Sequence, residues 1–144
     1  MSFLTFIFRF SWNYKERTLK TTVLVPFEFY ASYSLSIRET SHTHHWTLKL
    51  FVTGIPRNGM VIDILKLREI TNPHIERIAN TYLNENEVLD QRQAENPTCE
   101  MLCMYFFSHV APQLEGYDVE LSGVEVEIRE PEGNEWGSAR LEVD

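Results

Sequence analysis

Between residues 42 and 52 the chain reads His-Thr-His-His-Trp-Thr-Leu-Lys-Leu-Phe-Val, and a strand is the conformation that sorts these residues into two faces. Alternate residues of a strand point the same way, so His42, His44, Trp46, Leu48, Leu50 and Val52 share one side. An apolar stripe with two imidazoles at its open end must cover a core along most of its length and face solvent at one end. Paired imidazoles in an H-x-H arrangement suit zinc, which takes about four donors at roughly 2 Å and keeps one place open in catalytic sites. The same pattern also describes an exposed, histidine-rich strand end, and spacing by itself does not choose between the two.

Around this strand the hydrophobic period changes in an orderly way. Thr21 to Leu35 is rich in Val, Phe, Tyr and Thr and is interrupted by Pro26, which predicts a long strand with a bend or bulge near its start. The turn formers from Gly54 to Gly59 predict a reversal into Met60-Val61-Ile62-Asp63, and with the two preceding strands an antiparallel meander. Ile64, Leu67, Ile70, Ile75, Ile78, Tyr82 and Leu83 then recur at helical spacing, with Asn72-Pro73 between the two parts as a cap or a kink. Asn84 to Glu95 reads as loop. Asn96-Pro97 reads as a cap and first residue of a second helix carrying Leu102, Cys103, Phe106, Phe107 and Val110 and ending near Pro112. Val124, Val126 and Ile128 alternate again, and a Pro-Glu-Gly-Asn turn leads to a last strand around Ser138 to Val143. The expected fold class is α+β, an antiparallel sheet with two helices packed on one face.

Composition narrows the partners. A formal charge of −8 argues against nucleic acid, whose binding rests on clustered Lys and Arg. Residues 1–20 form an N-terminal extension ahead of a single domain at 21–144. Leu4, Phe6, Phe8, Phe10 and Trp12 alternate with Thr5, Arg9 and Ser11 as an extra strand would, and Arg9 breaks the apolar run too early for a membrane span or an export signal. No membrane partner is expected. Cys99 and Cys103, four apart in a helical stretch, read as core thiols of a cytoplasmic protein.

Several segments, in order, resemble the 6-pyruvoyl and 6-carboxy tetrahydropterin synthases. Phe29-Tyr30-Ala31-Ser32-Tyr33-Ser34-Leu35 resembles the family's first-strand motif, and His42-Thr43-His44-His45-Trp46 its zinc-binding H-G-H segment. Gly59-Met60-Val61-Ile62-Asp63 is similar to its G-M-V-x-D turn, and Tyr82-Leu83-Asn84 with Asn96-Pro97-Thr98-Cys99-Glu100 to its Y-L-N and N-P-T-x-E pair. Val126 to Glu130 is similar to the strand ending in its pterin-anchoring glutamate. The resemblance covers about Val23 to Glu130. It implies the tunnelling fold, with protomers joining their sheets into a barrel as a homo-oligomer, and zinc-dependent lyase chemistry on a dihydroneopterin triphosphate-type substrate in tetrahydrobiopterin or queuosine precursor synthesis. By the same resemblance Glu130 anchors a pterin or purine-like ligand, Thr98 and Glu100 add contacts, and zinc sits at His42 and His44 with Tyr33 in the place of the family's third histidine. A carboxylate suits this ligand because it accepts the ring N–H and the neighbouring amino group together.

The catalytic positions depart from the family. Arg38 stands where the resemblance places a cysteine, and Ala79 and Asn80 stand where it places an Asp-His pair. General acid–base catalysis needs groups that titrate near the working pH, which these residues do not supply. Two expectations follow: a family enzyme with reassigned groups such as His45 or His109, or a catalytically inactive homologue that keeps the fold, the assembly and pterin binding. A cupin-like metal barrel is disfavoured by the helical stretches between the strands.

Overall fold

The computed structural model describes residues 19–35, 42–130 and 136–144, and the extension to Thr18, the loop around Arg38 and the Pro-Glu-Gly-Asn turn lie outside that description. Four strands, β1 (Thr21–Tyr33), β2 (His42–Gly54), β3 (Glu120–Arg129) and β4 (Trp136–Glu142), form one sheet in the order β1-β2-β3-β4 with every pairing antiparallel. Between β2 and β3 lie helix α1 (Ile64–Glu76), a 3-10 turn at Leu83–Glu85, the short helix α2 (Gln91–Glu95), helix α3 (Cys99–Val110) and a second 3-10 stretch at Ala111–Tyr117.

The alternation read from β2 sets the layers. Trp46, Leu48, Leu50 and Val52 are fully buried, as are Val124 and Val126 of β3 on the same side, and Leu102, Tyr105, Phe106 and Val110 of α3 close over them. Each buried side chain of this size contributes roughly 1.5–3 kcal/mol, so the six strand residues and their helical cover hold the sheet and α3 together. α3 lies close enough to the sheet for the Cys103 thiol to meet the carbonyls of Val124 and Ala139 at 3.4 Å each. The other sheet face is polar, with Lys49 3.3 Å from Glu125 and the Arg140 guanidinium 4.0 Å from the centre of the Phe51 ring.

Several local expectations are corrected. Pro26 makes no bulge: the β1–β2 register runs unbroken through it, because β1 is an edge strand where a missing N–H breaks no ladder bond. The one register shift falls between β2 and β3, where Phe51 faces Gly123 and Val52 faces Leu121. Met60 to Asp63 is not a strand. Asn58 and Gly59 take positive φ in a tight turn that closes on the single pair Arg57–Met60, and Asp63 then caps α1 by accepting from Leu65 N at 2.9 Å. The meander is therefore only a hairpin of β1 and β2. α1 runs through Pro73 as one helix and stops at Glu76, so Ile78, Tyr82 and Leu83 lie beyond it. The stretch 84–95 is not all loop, since Asp90 and Gln93 form a capping box that starts α2. Thr98, not Asn96, caps α3, its hydroxyl accepting from Met101 N at 3.2 Å.

Candidate ligand site at the histidine end of the sheet

Pairing of β1 with β2 ends at Tyr33 and His42, Cα partners at the end where the chain passes from one strand to the other, and the next pair on this face is Ala31 with His44. Trp46 anchors this end from below: its indole donates to Ala31 O at 3.2 Å and its ring stacks on Phe29 at 6.0 Å. The Tyr33 ring packs 5.0 Å from His44 and 5.6 Å from Trp46, and the two imidazoles stand 6.3 Å apart, centroid to centroid. His42 is exposed whereas His44 is only 4% exposed.

Glu130 reaches the same place from the end of β3. His45 pairs with Arg129 and Trp46 with Ile128, so Glu130, two residues past Ile128, falls on the core side next to His44. Its carboxylate lies 3.6 Å from His44 Nδ1, an electrostatic contact too long for a hydrogen bond, and Nδ1 is buried without a hydrogen-bond partner. Burial pushes the His44 pKa below its ordinary value, with Glu130 and the Arg129 main chain opposing and His42 adding to the shift. The neutral imidazole, the form that can ligate a metal or accept a proton, is thereby favoured.

The remaining sequence candidates fall in different places. Thr98 commits its hydroxyl to capping α3, and Glu100 is exposed in the first turn of that helix. Cys99 reaches towards Gly137 O at 3.9 Å, and Gly137 pairs with Ile128, which puts the start of α3 at the Glu130 end of the sheet. Ala79 and Asn80 sit in the turn after α1. Asn80 takes a left-handed conformation (φ 61) that Asn tolerates, and its N–H donates to Tyr30 O at 2.6 Å. His45 points to the opposite sheet face, 3.7 Å from Glu28. His109 is on the last turn of α3, where its Nδ1 contacts Tyr105 O at 2.8 Å. Neither His45 nor His109 joins His42 and His44, so the structure does not support reassigning catalysis to them. A cleft of about 200 Å³ lined by Ile55, Arg57, Met60, Tyr117 and Asp118 lies at the other end of the hairpin, past Gly54.

Zinc is the cofactor this face would be expected to hold, and the donor set falls short of it. Two imidazoles and a phenol are present, and among the described residues no three His, Cys, Asp or Glu side chains gather closely enough for a metal ion. A phenol is a poor third ligand, its reference pKa lying near about 10. Ser34 and Asn84, which the resemblance includes as motif residues without a role, meet directly: Asn84 Oδ1 accepts from Ser34 N and Nδ2 donates to Ser34 O, each at 2.8 Å.

Comparison with known proteins bears on the family and the fold. A profile described as 6-pyruvoyl tetrahydropterin synthase matches residues 22–140. The chain belongs to that family. The dihydroneopterin monophosphate aldolase of Pyrococcus furiosus is 27% identical over 121 residues, spanning 83% of this chain and 96% of that protein. Among solved structures, Caenorhabditis elegans 6-pyruvoyl tetrahydropterin synthase superposes with a TM-score of 0.65 at 16% identity, covering 88% of this chain and 97% of that one. A Plasmodium vivax 6-pyruvoyltetrahydropterin synthase carrying an alanine in place of a catalytic glutamate superposes with a TM-score of 0.60 at 19% identity, covering 87% of this chain and 99% of the other. The structural likenesses establish the fold, four antiparallel strands with helices packed on them as in the solved 6-pyruvoyl tetrahydropterin synthases. No helix among the described residues is long and apolar enough to cross a membrane.

Proposed function

We propose that this chain binds a pterin at the His42–His44 end of the sheet, with Glu130 as the anchor. The observation that carries the reading is the placement of the Glu130 carboxylate on the face of Tyr33 and His44, half-exposed and, among the described residues, without a cationic side chain bound to it at hydrogen-bond distance. A carboxylate so placed can accept the ring N–H and amino group of a pterin in a bidentate pair. Tyr33 offers an aromatic surface beside it, and exposed Glu100 at the start of α3 is a further contact. Thr98 acts through the helix cap that it forms. His42 and His44 with Tyr33 would give zinc no more than a weak site, and no chemical step of this reading depends on it. Protomers associate through their sheet edges, β4 and the stretch of β1 ahead of Tyr30, into the family's barrel, and the protein works in the cytoplasm.

The test is calorimetry with a reduced dihydropterin for wild type and Glu130→Gln. Binding by the wild type that weakens by about 1.5–3 kcal/mol in the variant, the order of a hydrogen bond to a charged group, supports the reading. Equal binding by both proteins removes Glu130 from the site.

Turnover is a second reading, favoured by two observations. The Pyrococcus furiosus relative is an aldolase, and the Plasmodium vivax protein uses a catalytic glutamate; this chain carries Glu39 three residues ahead of His42, beside Arg38. In that reading Glu39 takes the acid–base role that Arg38, Ala79 and Asn80 cannot fill, and the substrate is a dihydroneopterin phosphate. Product formation that Glu39→Gln abolishes, with pterin binding unchanged, supports it; absence of product from wild type leaves the protein a binder.

A further inference from the structure

We propose that Asn84 is a positioning residue for the Tyr33–His44 face, an inference that rests on the pterin site proposed above. The pairing of β1 with β2 stops at Tyr33 and His42, so among the described residues no ladder pair beyond that one holds the strand end that carries Tyr33. A strand end of this kind frays unless its backbone groups find partners elsewhere. They find them in the segment from Asn80 to Asn84, which runs along the outer edge of β1. Asn80 N donates to Tyr30 O at 2.6 Å and Ser32 N to Thr81 O at 3.0 Å, with an isolated parallel bridge between Ser32 and Tyr82.

Past Tyr33 the main chain of that segment no longer serves, and the Asn84 side chain takes over. Its carboxamide accepts from Ser34 N and donates to Ser34 O, both at 2.8 Å, satisfying the two groups that a neighbouring strand would otherwise pair. Only a primary amide carries a donor and an acceptor side by side in one plane; Asp has no donor, and Gln is one methylene too long for the same placement. The Ser34 hydroxyl adds a 2.6 Å bond to Tyr82 OH. The platform is itself anchored, since Leu83 between the two contact residues is fully buried. Tyr33 is thus fixed by clamped residues on both sides, Ser32 and Ser34, and its ring is held against His44 and Trp46.

Asn86 provides an internal control. It lies two residues further along the same loop, and its amide donates to Arg77 O at 2.9 Å and Thr81 Oγ1 at 3.0 Å, bracing the loop without touching Ser34. Three variants of the full chain, Asn84→Ala, Asn84→Asp and Asn86→Ala, separate positioning from general loop stability. Each is measured for dihydropterin affinity by calorimetry, for thermal midpoint, and for the His44 Cε1–H resonance, assigned by its loss in His44→Gln and displaced in the wild type by the Tyr33 ring current. Asn84→Ala is expected to weaken binding about tenfold and to move the His44 resonance, the order of one to two lost hydrogen bonds. Asn84→Asp, which keeps the acceptor for Ser34 N and remains the measurable variant if alanine fails to fold, is expected to show a smaller change of the same kind. Asn86→Ala, which loosens Thr81 but keeps both bonds to Ser34, is expected to lower the midpoint while changing affinity and resonance less than either Asn84 variant.

Wild-type affinity and an unmoved His44 resonance in both Asn84 variants would overturn the proposal, as would equal changes in Asn86→Ala. If wild type binds no pterin, the ligand reading fails while the His44 resonance still decides whether Asn84 sets the face.

Discussion

Two pairs of histidines stand in this fold, and their surroundings differ in a way that residue type does not announce. His42 and His44 come from one strand, 6.3 Å apart, at an open end of the sheet beside a carboxylate. His74 and His109 come from α1 and α3, 5.2 Å apart, inside a web of committed contacts: His74 Nε2 meets Gln113 Oε1 at 2.6 Å, His109 Nδ1 meets Tyr105 O, and Tyr105 OH donates to His74 O at 2.8 Å. Both His44 and His74 keep a buried Nδ1 without a hydrogen bond. An orphaned imidazole nitrogen is therefore not a sufficient mark of a ligand site. What separates the pairs is access: the strand pair has an exposed member and an acid alongside, whereas the helical pair ties two helices and the 3-10 stretch of Ala111–Tyr117 together.

The largest expected difference is in metal uptake. Any zinc that the untagged protein takes up, read by elemental analysis, should depend on the strand pair, so His42→Ala/His44→Ala loses it and His74→Ala/His109→Ala does not. Retention of zinc by the first double variant would break the comparison and move the metal elsewhere.

Stability should show the reverse ranking at smaller scale. His74→Ala removes a buried side chain and its bond to Gln113 and should lower unfolding free energy by about 1–3 kcal/mol in denaturant titration. His42→Ala, at an exposed strand end, should stay within about 0.5 kcal/mol of wild type. Equal losses would mean that the strand pair is as structural as the helical one.

The last comparison concerns the two cysteines of α3, whose titration has the smallest effect at neutral pH. Burial is the first cause that pushes the Cys99 thiol up to about 12 and the Cys103 thiol up to about 11, each from an ordinary value near 9. A folded state that keeps protons the unfolded state has lost becomes less favourable as pH rises: this stabilisation is complete below pH 9 and is lost through 11 to 12. Each thiol contributes a slope of at most about 1.4 kcal/mol per pH unit in that window. Cys103→Ala should flatten the alkaline loss of stability beside a pH-independent cost of about 1 kcal/mol for the buried thiol it removes, and iodoacetamide should label neither thiol of the folded protein at pH 8. Rapid labelling under those conditions would show that α3 does not close over the sheet as described.

The sequence determined the parts that depend on period and local chemistry. Alternation from His42 to Val52 set which face of β2 is buried and put His42, His44 and Trp46 on it, because a strand has no other way to sort its side chains. The helical stripe of Leu102, Cys103, Phe106 and Val110 determined that α3 covers a core, and the N-P-T-x-E segment located its start to within two residues. Tertiary structure decided what local patterns cannot carry. Whether Met60 to Ile62 continues the sheet depended on a turn that closes a single pair before Asp63 caps a helix. The proximity of Glu130 to His44 arises from the register of β2 on β3, set by a shift at Phe51 and Val52 over eighty residues of intervening chain order that spacing does not encode. The bond of Asn84 to Ser34 joins residues 50 apart, and it follows from where the buried Leu83 is packed and not from either residue's neighbours in sequence. Long-range contacts of this kind are fixed by the whole core, so the chain discloses the ligand face and leaves its support to the fold.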